Sequence, residues 1–173
     1  CGLGTDLIHW AMDLAKYNGE VVGIDLSPSA LNVVKERLAF FNIKNVTLHQ
    51  KSLLDLDPKT MGLFDHINCV GVLHHLKDPV AGLTKLSSVL KEGRSMVMMV
   101  YAQYGRVGVY RMQELLRKVN KDVSDYETKI KKYKKIYKNL PQTHLLKQFE
   151  RVIADHRVSD NGIVDELLHC QDR

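Results

Sequence analysis

Two glycines and an aspartate near the start of the chain are the residues whose types and spacing first indicate chemistry. Gly2 and Gly4 flank Leu3 just before a helical pattern, and Asp25 ends an apolar run roughly 20 residues later. Glycine lets the backbone approach a ligand closely, and the N–H groups at a helix start face that ligand. A carboxylate at the next strand end can accept hydrogen bonds from two ribose hydroxyls. The pattern predicts a site for a nucleoside-containing cofactor, against the alternative of a structural glycine turn with a solvated aspartate.

Two adjacent histidines and a tyrosine are the candidates for proton transfer. His74 and His75 follow an apolar run over residues 64–71, where the end of a strand would present them. Imidazole titrates near neutral pH, so either ring could act as a general base. The alternatives are a structural role for His74 and a cofactor contact without proton transfer for His75. Tyr104 is a weaker catalytic candidate in residues 101–110, a segment that either shapes a substrate pocket or packs as a connector.

Alternating strand and helix patterns through the first 120 residues must position these side chains. Ser27-Pro28 and Asp78-Pro79 each predict a helix start, because a capping side chain precedes a proline in the first turn. The alternation predicts an α/β fold, with a Rossmann-like, mostly parallel sheet and flanking helices. The first strand of that sheet is expected before Cys1, so the chain is interpreted as an internal piece of a longer protein, truncated at both ends.

Two further expectations concern the last strand. Gly93 lies where a helix commonly stops, so the helix that starts at Asp78-Pro79 is predicted to end there. Residues 96–101 are apolar on both faces, which predicts a strand sandwiched between helix layers.

The pattern changes after residue 108. Residues 1–108 are predicted to be the cofactor-binding core, and residues 109–173 a helical appendage that is a possible substrate cap. The third helix of this appendage is expected to carry an apolar stripe formed by Leu145, Leu146, Phe149, Val152 and Ile153.

The composition limits the class of protein. The chain has 173 residues, of which 45% are hydrophobic and 26% charged, as in a soluble globular domain with a core. No stretch approaches the ~18 apolar residues that indicate a membrane span. Cys1, Cys69 and Cys170 are scattered without metal-ligand spacing, so neither disulfides nor a metal site is predicted. An intracellular, cytoplasmic setting is the default.

A run of lysines is the main feature of the net charge of +5. Its members are Lys129, Lys131, Lys132, Lys134, Lys135 and Lys138. The run could attract an anionic partner such as a nucleic acid. The favoured interpretation is a solvated helix face, because apolar residues recur at helical spacing and would face inward. Those residues are Ile130, Tyr133, Ile136, Tyr137 and Leu140.

Four blocks in order resemble class I S-adenosylmethionine-dependent methyltransferases over residues 1–101. Cys1-Gly2-Leu3-Gly4 is similar to the later part of that family's motif I, and Gly23-Ile24-Asp25-Leu26-Ser27 to the segment after it. Residues 64–76, which end in Leu73-His74-His75-Leu76, resemble the fourth strand and its loop. Leu90-Lys91-Glu92-Gly93-Arg94 matches the junction before the fifth strand. The ordered set is more specific than any one block.

The resemblance implies roles for individual residues. Gly2, Leu3 and Gly4 would form the cofactor turn, and Asp25 would hold both ribose hydroxyls. Leu26 would lie against adenine, and the backbone of Val70 would contact the methionyl part. Ser52, beside Leu53, stands where the family usually has an acidic residue near the adenine amino group, with Asp55 as the alternative.

The resemblance therefore implies methyl transfer from S-adenosylmethionine, on a small-molecule substrate. One alternative is a non-catalytic module that binds the cofactor or associates with RNA through the lysine run. Another is an NAD-dependent dehydrogenase, which is disfavoured because the chain contains no Tyr-x-x-x-Lys pair.

Overall fold

The chain folds into two compact units, as seen in a computed structural model that describes residues 1–149 and 155–168. The first unit comprises Cys1–Asn68 and Asp78–Val97, and the second comprises Cys69–Lys77 and Met98–Arg173. The chain passes between the units near the ends of two strands, so each unit contains segments that are distant in sequence.

Helices and strands alternate through the first part of the chain, and helices alone follow in the second. The strands are β1 (Val21–Asp25), β2 (Val46–Gln50), β3 (Phe64–Val70) and β4 (Leu90–Met99). The helices of the first part are α1 (Thr5–Ala15), α2 (Pro28–Phe40), α3 (Pro58–Met61) and α4 (Pro79–Ser88). Those that follow are α5 (Val107–Val119), α6 (Tyr126–Asn139), α7 (Leu145–Phe149), α8 (Asp155–Val158) and α9 (Asp160–Ile163). Short 3-10 turns cover Leu53–Asp55 and Leu73–His75, and a π-helical turn covers Val164–Leu168.

The first two strands form a parallel pair joined by a helix. Val21 lies opposite Val46 and Asp25 lies opposite Gln50. The two strands therefore end side by side, and the Lys51 N–H donates to the Asp25 carbonyl oxygen at 3.1 Å. The predicted α/β architecture with parallel strands and flanking helices is confirmed.

Apolar side chains at helical spacing pack α1 and α2 against this strand pair. Leu7 and Ile8 of α1 and Val34 and Leu38 of α2 are buried together. Partly buried residues from the strands and the loop before β2 complete the cluster: Val21, Ile43, Val46 and Leu48. Each fully buried side chain of this size contributes about 1.5–3 kcal/mol, so the cluster holds both helices on the strands.

The two predicted helix starts are confirmed. The Ser27 hydroxyl accepts a hydrogen bond from the Ala30 N–H at 3.2 Å at the start of α2. The Asp78 carboxylate accepts one from the Ala81 N–H at 3.0 Å at the start of α4. Each cap stabilises its helix by about 1 kcal/mol.

The predicted helix stop at Gly93 is wrong. Helix α4 ends at Ser88 and β4 begins at Leu90, so Gly93 lies inside a strand, with φ of +70°. Strand β4 has 10 residues and its partner β3 has 7. Glycine tolerates this left-handed backbone, which interrupts the regular extension of a strand as a bulge does. The same property makes glycine common at helix ends, so the residue type alone did not distinguish the two.

The expectation of a sandwiched last strand is also wrong for the described residues. Val97, Met98, Met99 and Val100 are 40–54% exposed. Among the described strands, β3 and β4 form a two-stranded pair separate from β1 and β2. A strand in a narrow pair has less cover than one in the interior of a wide sheet, which accounts for the exposure.

The second unit has its own apolar core, built by the later helices. Its buried members are Val109, Met112, Leu116, Tyr133, Leu146, Ile163 and Leu167. The apolar side of the lysine-rich helix α6 packs against this core, with Tyr133 2% exposed. The inward orientation predicted for that side is confirmed.

A buried hydrogen-bonded contact between a histidine and a glutamate connects the last elements of the second unit. His156 Nδ1 lies 2.7 Å from Glu166 Oε2, and the His156 N–H donates to the same oxygen at 2.9 Å. The Gln113 side chain donates to the Glu166 carbonyl oxygen at 2.9 Å. These contacts attach the π-helical turn to α8 and to α5.

Part of the appendage prediction stays open. Val152, Ile153 and Cys170 lie outside the described residues, and α7 ends at Phe149. The domain boundary after residue 108 remains a prediction.

We expect Gly108→Ala to destabilise the second unit. A Cβ at this position in α5 would lie 2.6 Å from the Leu146 backbone nitrogen and 2.7 Å from the Leu145 carbonyl carbon. Backbone atoms cannot rotate away, so the helices must shift apart at a cost of about 1–3 kcal/mol. Urea unfolding of the full-length protein measures the loss.

Gly105→Ala is the matched control for this substitution. A Cβ at Gly105 would meet Ala102 Cβ at 3.6 Å, which is an ordinary contact. No loss of stability in Gly108→Ala, or an equal loss in both variants, would contradict close packing of α5 against α7.

Candidate functional site

The glycine turn before α1 has the backbone that the sequence predicts. Gly2 and Gly4 have φ of +54° and +78°, and the Gly4 N–H donates to the Cys1 carbonyl oxygen at 3.0 Å. A Cβ at Gly4 would lie 2.8 Å from Val34 Cγ2, so both the conformation and the space favour glycine there. Gly4 is also the N-cap of α1 and supplies no side-chain cap. The first N–H groups of α1 therefore have no side-chain cap to compete with a ligand.

Asp25 connects this turn to the end of β1. Its Oδ2 accepts hydrogen bonds from the Gly2 N–H at 2.8 Å and from the amino group of Cys1 at 2.9 Å. Its Oδ1 accepts from the Ser27 N–H at 2.9 Å. Partial burial raises the pKa of this carboxyl, but the donors from Ser27, Cys1 and Gly2 together outweigh it and hold the pKa below its usual value. Because the folded-state pKa is lowered, the charged carboxylate persists as pH falls through the ordinary aspartate range.

Arg37 also holds the glycine turn, and sequence reasoning missed it. Its Nη1 donates to the Leu3 carbonyl oxygen at 2.6 Å from the last turn of α2. The same nitrogen lies 3.5 Å from the Thr5 hydroxyl. A basic residue late in a helix is common for other reasons, so the sequence offered no signal for this contact.

The remaining predicted cofactor residues of the first unit lie around the two strand ends. Leu26 directly follows Asp25 and is 65% exposed, and Leu3 is 61% exposed. Ser52 lies two residues after Gln50, the partner of Asp25, and its hydroxyl accepts from the Leu54 N–H at 3.2 Å. Leu53 begins the 3-10 turn that this hydroxyl caps. Exposed apolar side chains beside an anchored carboxylate are available to a bound ligand.

The donor and acceptor set of the first unit fits a nucleoside cofactor. A carboxylate has about four lone-pair sites, and the three protein donors on Asp25 leave capacity for a ribose hydroxyl. Exposed Leu26 offers an apolar surface for a base. Uncapped N–H groups at the start of α1 offer donors.

The second unit brings the two predicted histidines together. They lie in the 3-10 turn Leu73–His75, with ring centroids 4.1 Å apart. His74 is 8% exposed and stacks on Tyr101 at 3.8 Å between centroids, whereas His75 is half-buried. Arg106, the arginine of the segment 101–110 that either shapes a pocket or packs as a connector, lies over the Tyr101 ring, 3.7 Å from its centroid.

Two other predicted residues of the second unit lie outside this ring cluster. Val70 ends β3 and is 41% exposed. Tyr104 is 83% exposed and makes no ring contact with His74 or His75 among the described residues. Their predicted roles stay predictions.

Several lysines of α6 have local partners. Lys131 pairs with Glu127 at 2.6 Å and Lys134 pairs with Asp160 at 2.6 Å. Lys132 donates to a backbone carbonyl at 3.0 Å. These contacts favour the solvated-face interpretation of the lysine run.

Two features are absent from the described residues 1–149 and 155–168. No helix in them is long and apolar enough to cross a bilayer. The same residues contain no group of histidine, cysteine and acidic side chains placed to hold a metal ion.

Known proteins resemble both the sequence and the fold. The family model described as a methyltransferase domain matches residues 1–93. An uncharacterised protein of Synechococcus sp. is 35% identical over 99% of this chain and 41% of its own length. The ubiquinone biosynthesis O-methyltransferase of Colwellia psychrerythraea is 24% identical over 91% of this chain and 67% of its own length.

A solved structure shares the fold. PKMT2 from Rickettsia typhi, in complex with AdoHcy, has a TM-score of 0.73 at 22% identity, covering 98% of this chain and 34% of that one. The chain spans less than half the length of the first curated relatives it matches, 41% of the Synechococcus protein and 46% of one from Rickettsia prowazekii. The family model covers more than half of the chain, and the chain therefore belongs to the class I S-adenosylmethionine-dependent methyltransferase family.

Proposed function

We propose that this chain carries the cofactor-binding part of an enzyme that methylates a hydroxyl group of a small molecule. The observation that carries the proposal is the contact between Asp25 and the glycine turn. It fixes a charged acceptor beside backbone donors at the uncapped start of α1. This combination suits a cofactor that presents a ribose next to polar groups.

Each residue of the first unit would bind one part of S-adenosylmethionine. Asp25 would accept a hydrogen bond from a ribose hydroxyl at its remaining lone-pair site, and Leu26 would cover the adenine ring. The other contacts are proposed for Gly2, Leu3, Gly4, Ser52 and Leu53. When bound, the cofactor supplies an electrophilic methyl group on a sulfonium. A contact of the Val70 backbone with the methionyl part is a further proposal.

His75 is the group that we propose to receive the proton. A hydroxyl that gains a methyl group must lose its proton, and a positioned imidazole accelerates that loss. His75 is half-buried, whereas His74 is 8% exposed. An acceptor molecule can therefore reach His75 more easily, and the hydroxyl proton would pass to Nε2 of its ring, because Nδ1 is buried.

Two considerations support a small hydroxyl compound as the acceptor. The Colwellia relative is named for O-methyl transfer in ubiquinone biosynthesis. Methylation of oxygen, unlike that of a neutral amine, benefits from a base at the moment of transfer, and a histidine pair supplies one. We propose that the helices of residues 109–173 cap the acceptor.

We expect Asp25→Asn to weaken binding of S-adenosylmethionine by tenfold or more. The amide replaces one acceptor oxygen with an NH2 group that opposes the N–H groups of Gly2 or Ser27. Hydrogen bonds to a charged acceptor contribute about 1.5–3 kcal/mol each, and about 1.4 kcal/mol is a tenfold change. Isothermal titration of the full-length protein measures the affinity.

Asp65→Asn is the control for the loss of a carboxylate in the same unit. Asp65 pairs with Lys91 at 2.7 Å and Arg94 at 3.2 Å, on the strand pair β3–β4. We expect it to bind the cofactor like the wild type. Unchanged affinity in Asp25→Asn would refute the ribose-binding role.

We expect His75→Ala to lose about 10²–10⁴-fold in methyl transfer while cofactor affinity is retained. The assay follows radiolabelled methyl transfer from S-adenosylmethionine to compounds of a protein-free cell filtrate, with the labelled product purified and then used for kinetics. His9→Ala, an exposed histidine of α1, serves as the control.

The same assay distinguishes the proposed enzyme from a non-catalytic module that binds the cofactor. Cofactor binding by the wild type without any labelled product would favour the non-catalytic alternative. Full activity in His75→Ala would exclude its role as base.

A further inference from the structure

Three side chains of the second unit form a stacked column beside the histidine pair. The Tyr101 ring lies 3.8 Å from the His74 ring between centroids, with the planes inclined by 27°. The Arg106 guanidinium carbon lies 3.7 Å from the Tyr101 centroid. Two groups this close to one ring centre need opposite faces, so Tyr101 is held between Arg106 and His74. Both outer members are buried, at 7% and 8% exposed.

Tyr101 also contacts the second histidine. The rings of Tyr101 and His75 are nearly perpendicular, at 83°, with centroids 6.1 Å apart. A perpendicular arrangement at this separation is one that aromatic pairs prefer. One tyrosine ring therefore restricts both imidazoles at once.

The backbone of the second unit explains why these residues meet. The Gly71 N–H donates to the Met99 carbonyl oxygen at 3.1 Å, which pairs the ends of β3 and β4. The turn that carries the histidines follows one of these strand ends, and Tyr101 follows the other. Arg106 completes the column from the N-cap position of α5.

We propose that Tyr101, braced by Arg106, is the positioning residue for the His74–His75 pair. The inference rests on the proposed function, in which His75 takes up the acceptor proton. Proton transfer needs an imidazole nitrogen held at hydrogen-bond distance from the reacting oxygen, and small misplacements are costly. Stacking restrains the His74 ring through its face, so the stack itself uses neither of that ring's nitrogens.

Arginine suits the outer position for a physical reason. Its guanidinium is planar and stacks on an aromatic face, whereas the lysine ammonium is a compact charge on a flexible chain. Arg106→Lys therefore keeps the positive charge and removes the plane that braces Tyr101.

The first test needs no methyl acceptor. In the full-length protein labelled with ¹³C-histidine, the ring current of Tyr101 should move the His74 ring-proton signals upfield, and His74→Gln assigns those signals. Tyr101→Phe should keep the upfield shift, Tyr101→Leu should abolish it and Arg106→Lys should reduce it. Absence of the shift in the wild type, or its persistence in Tyr101→Leu, would overturn the proposal.

The second test measures kcat in the radiolabelled methyl-transfer assay. Tyr101→Leu should lower kcat by about tenfold, the upper range for loss of an aromatic pair, while the KM for S-adenosylmethionine stays unchanged. Tyr101→Phe should retain the wild-type kcat, because phenylalanine keeps the aromatic ring. Tyr126→Leu is the control, since Tyr126 is a half-exposed tyrosine of the same unit with Lys129 over its ring.

Two kinetic outcomes contradict the positioning role. An unchanged kcat in Tyr101→Leu would overturn it, and so would an equal loss in Tyr101→Phe, which would assign the effect to the hydroxyl. If Tyr101→Leu does not fold, Arg106→Lys becomes the deciding variant. An unaltered His74 ring-proton shift and an unaltered kcat in Arg106→Lys would exclude bracing of Tyr101 by Arg106. Failure of the proposed function is recognised separately, by lost cofactor binding in the wild type or full activity of His75→Ala.

Discussion

The hydrogen bonds of the Asp25 carboxylate are the interaction on which the candidate cofactor site depends. One side chain at the end of β1 accepts from the glycine turn through Gly2 and from the start of α2 through Ser27. The glycine turn leads directly into α1, so the hydrogen bond from Gly2 to Asp25 also fixes the start of α1 relative to the end of β1. The strand end is itself fixed by the parallel register with β2, where Asp25 faces Gln50. The arrangement of the candidate cofactor site therefore depends on the Asp25 carboxylate and on the parallel register of β1 and β2.

Features of the fold that depend on short-range chemistry could be predicted from the sequence. Ser27 and Asp78 each cap a helix through a contact three residues away, and that contact is encoded by neighbouring residue types. Asp25 was predictable for a similar reason, because its spacing from the glycines reflects one helix and one strand. Gly93 shows the limit of such reasoning. Its positive φ was compatible with a helix end and with a strand bulge, and only the pairing of β4 with β3 decides between them.

The parts of the site that sequence reasoning missed are contacts between segments far apart along the chain. Arg37 reaches back to Leu3 from the last turn of α2, and Tyr101 meets His74 because two strand ends are paired. Nothing in the residues adjacent to Arg37 distinguishes it from an ordinary surface residue, and for Tyr101 the sequence left open whether its segment shapes a substrate pocket or packs as a connector. Their functions arise from where the fold places them. The groups proposed to bind the cofactor were therefore predictable, and the contacts that hold the surrounding segments in place were not.

The distribution of similarity along the chain suggests how cofactor binding and acceptor choice are divided. The family match ends at residue 93, and the residues proposed for the cofactor and the proton all lie within it. Tyr101, Arg106 and α5–α9 lie beyond it, although the Synechococcus relative covers 99% of the chain. A family whose members share a cofactor but differ in their acceptors must keep the contacts to the cofactor and vary the contacts to the acceptor. Helix α5 begins next to Arg106, which stacks on the ring that restrains both histidines. A change in the helices that alters the start of α5 would therefore alter the position of the proposed base as well as the acceptor surface. We expect the histidine turn and the helical segment to have diverged together.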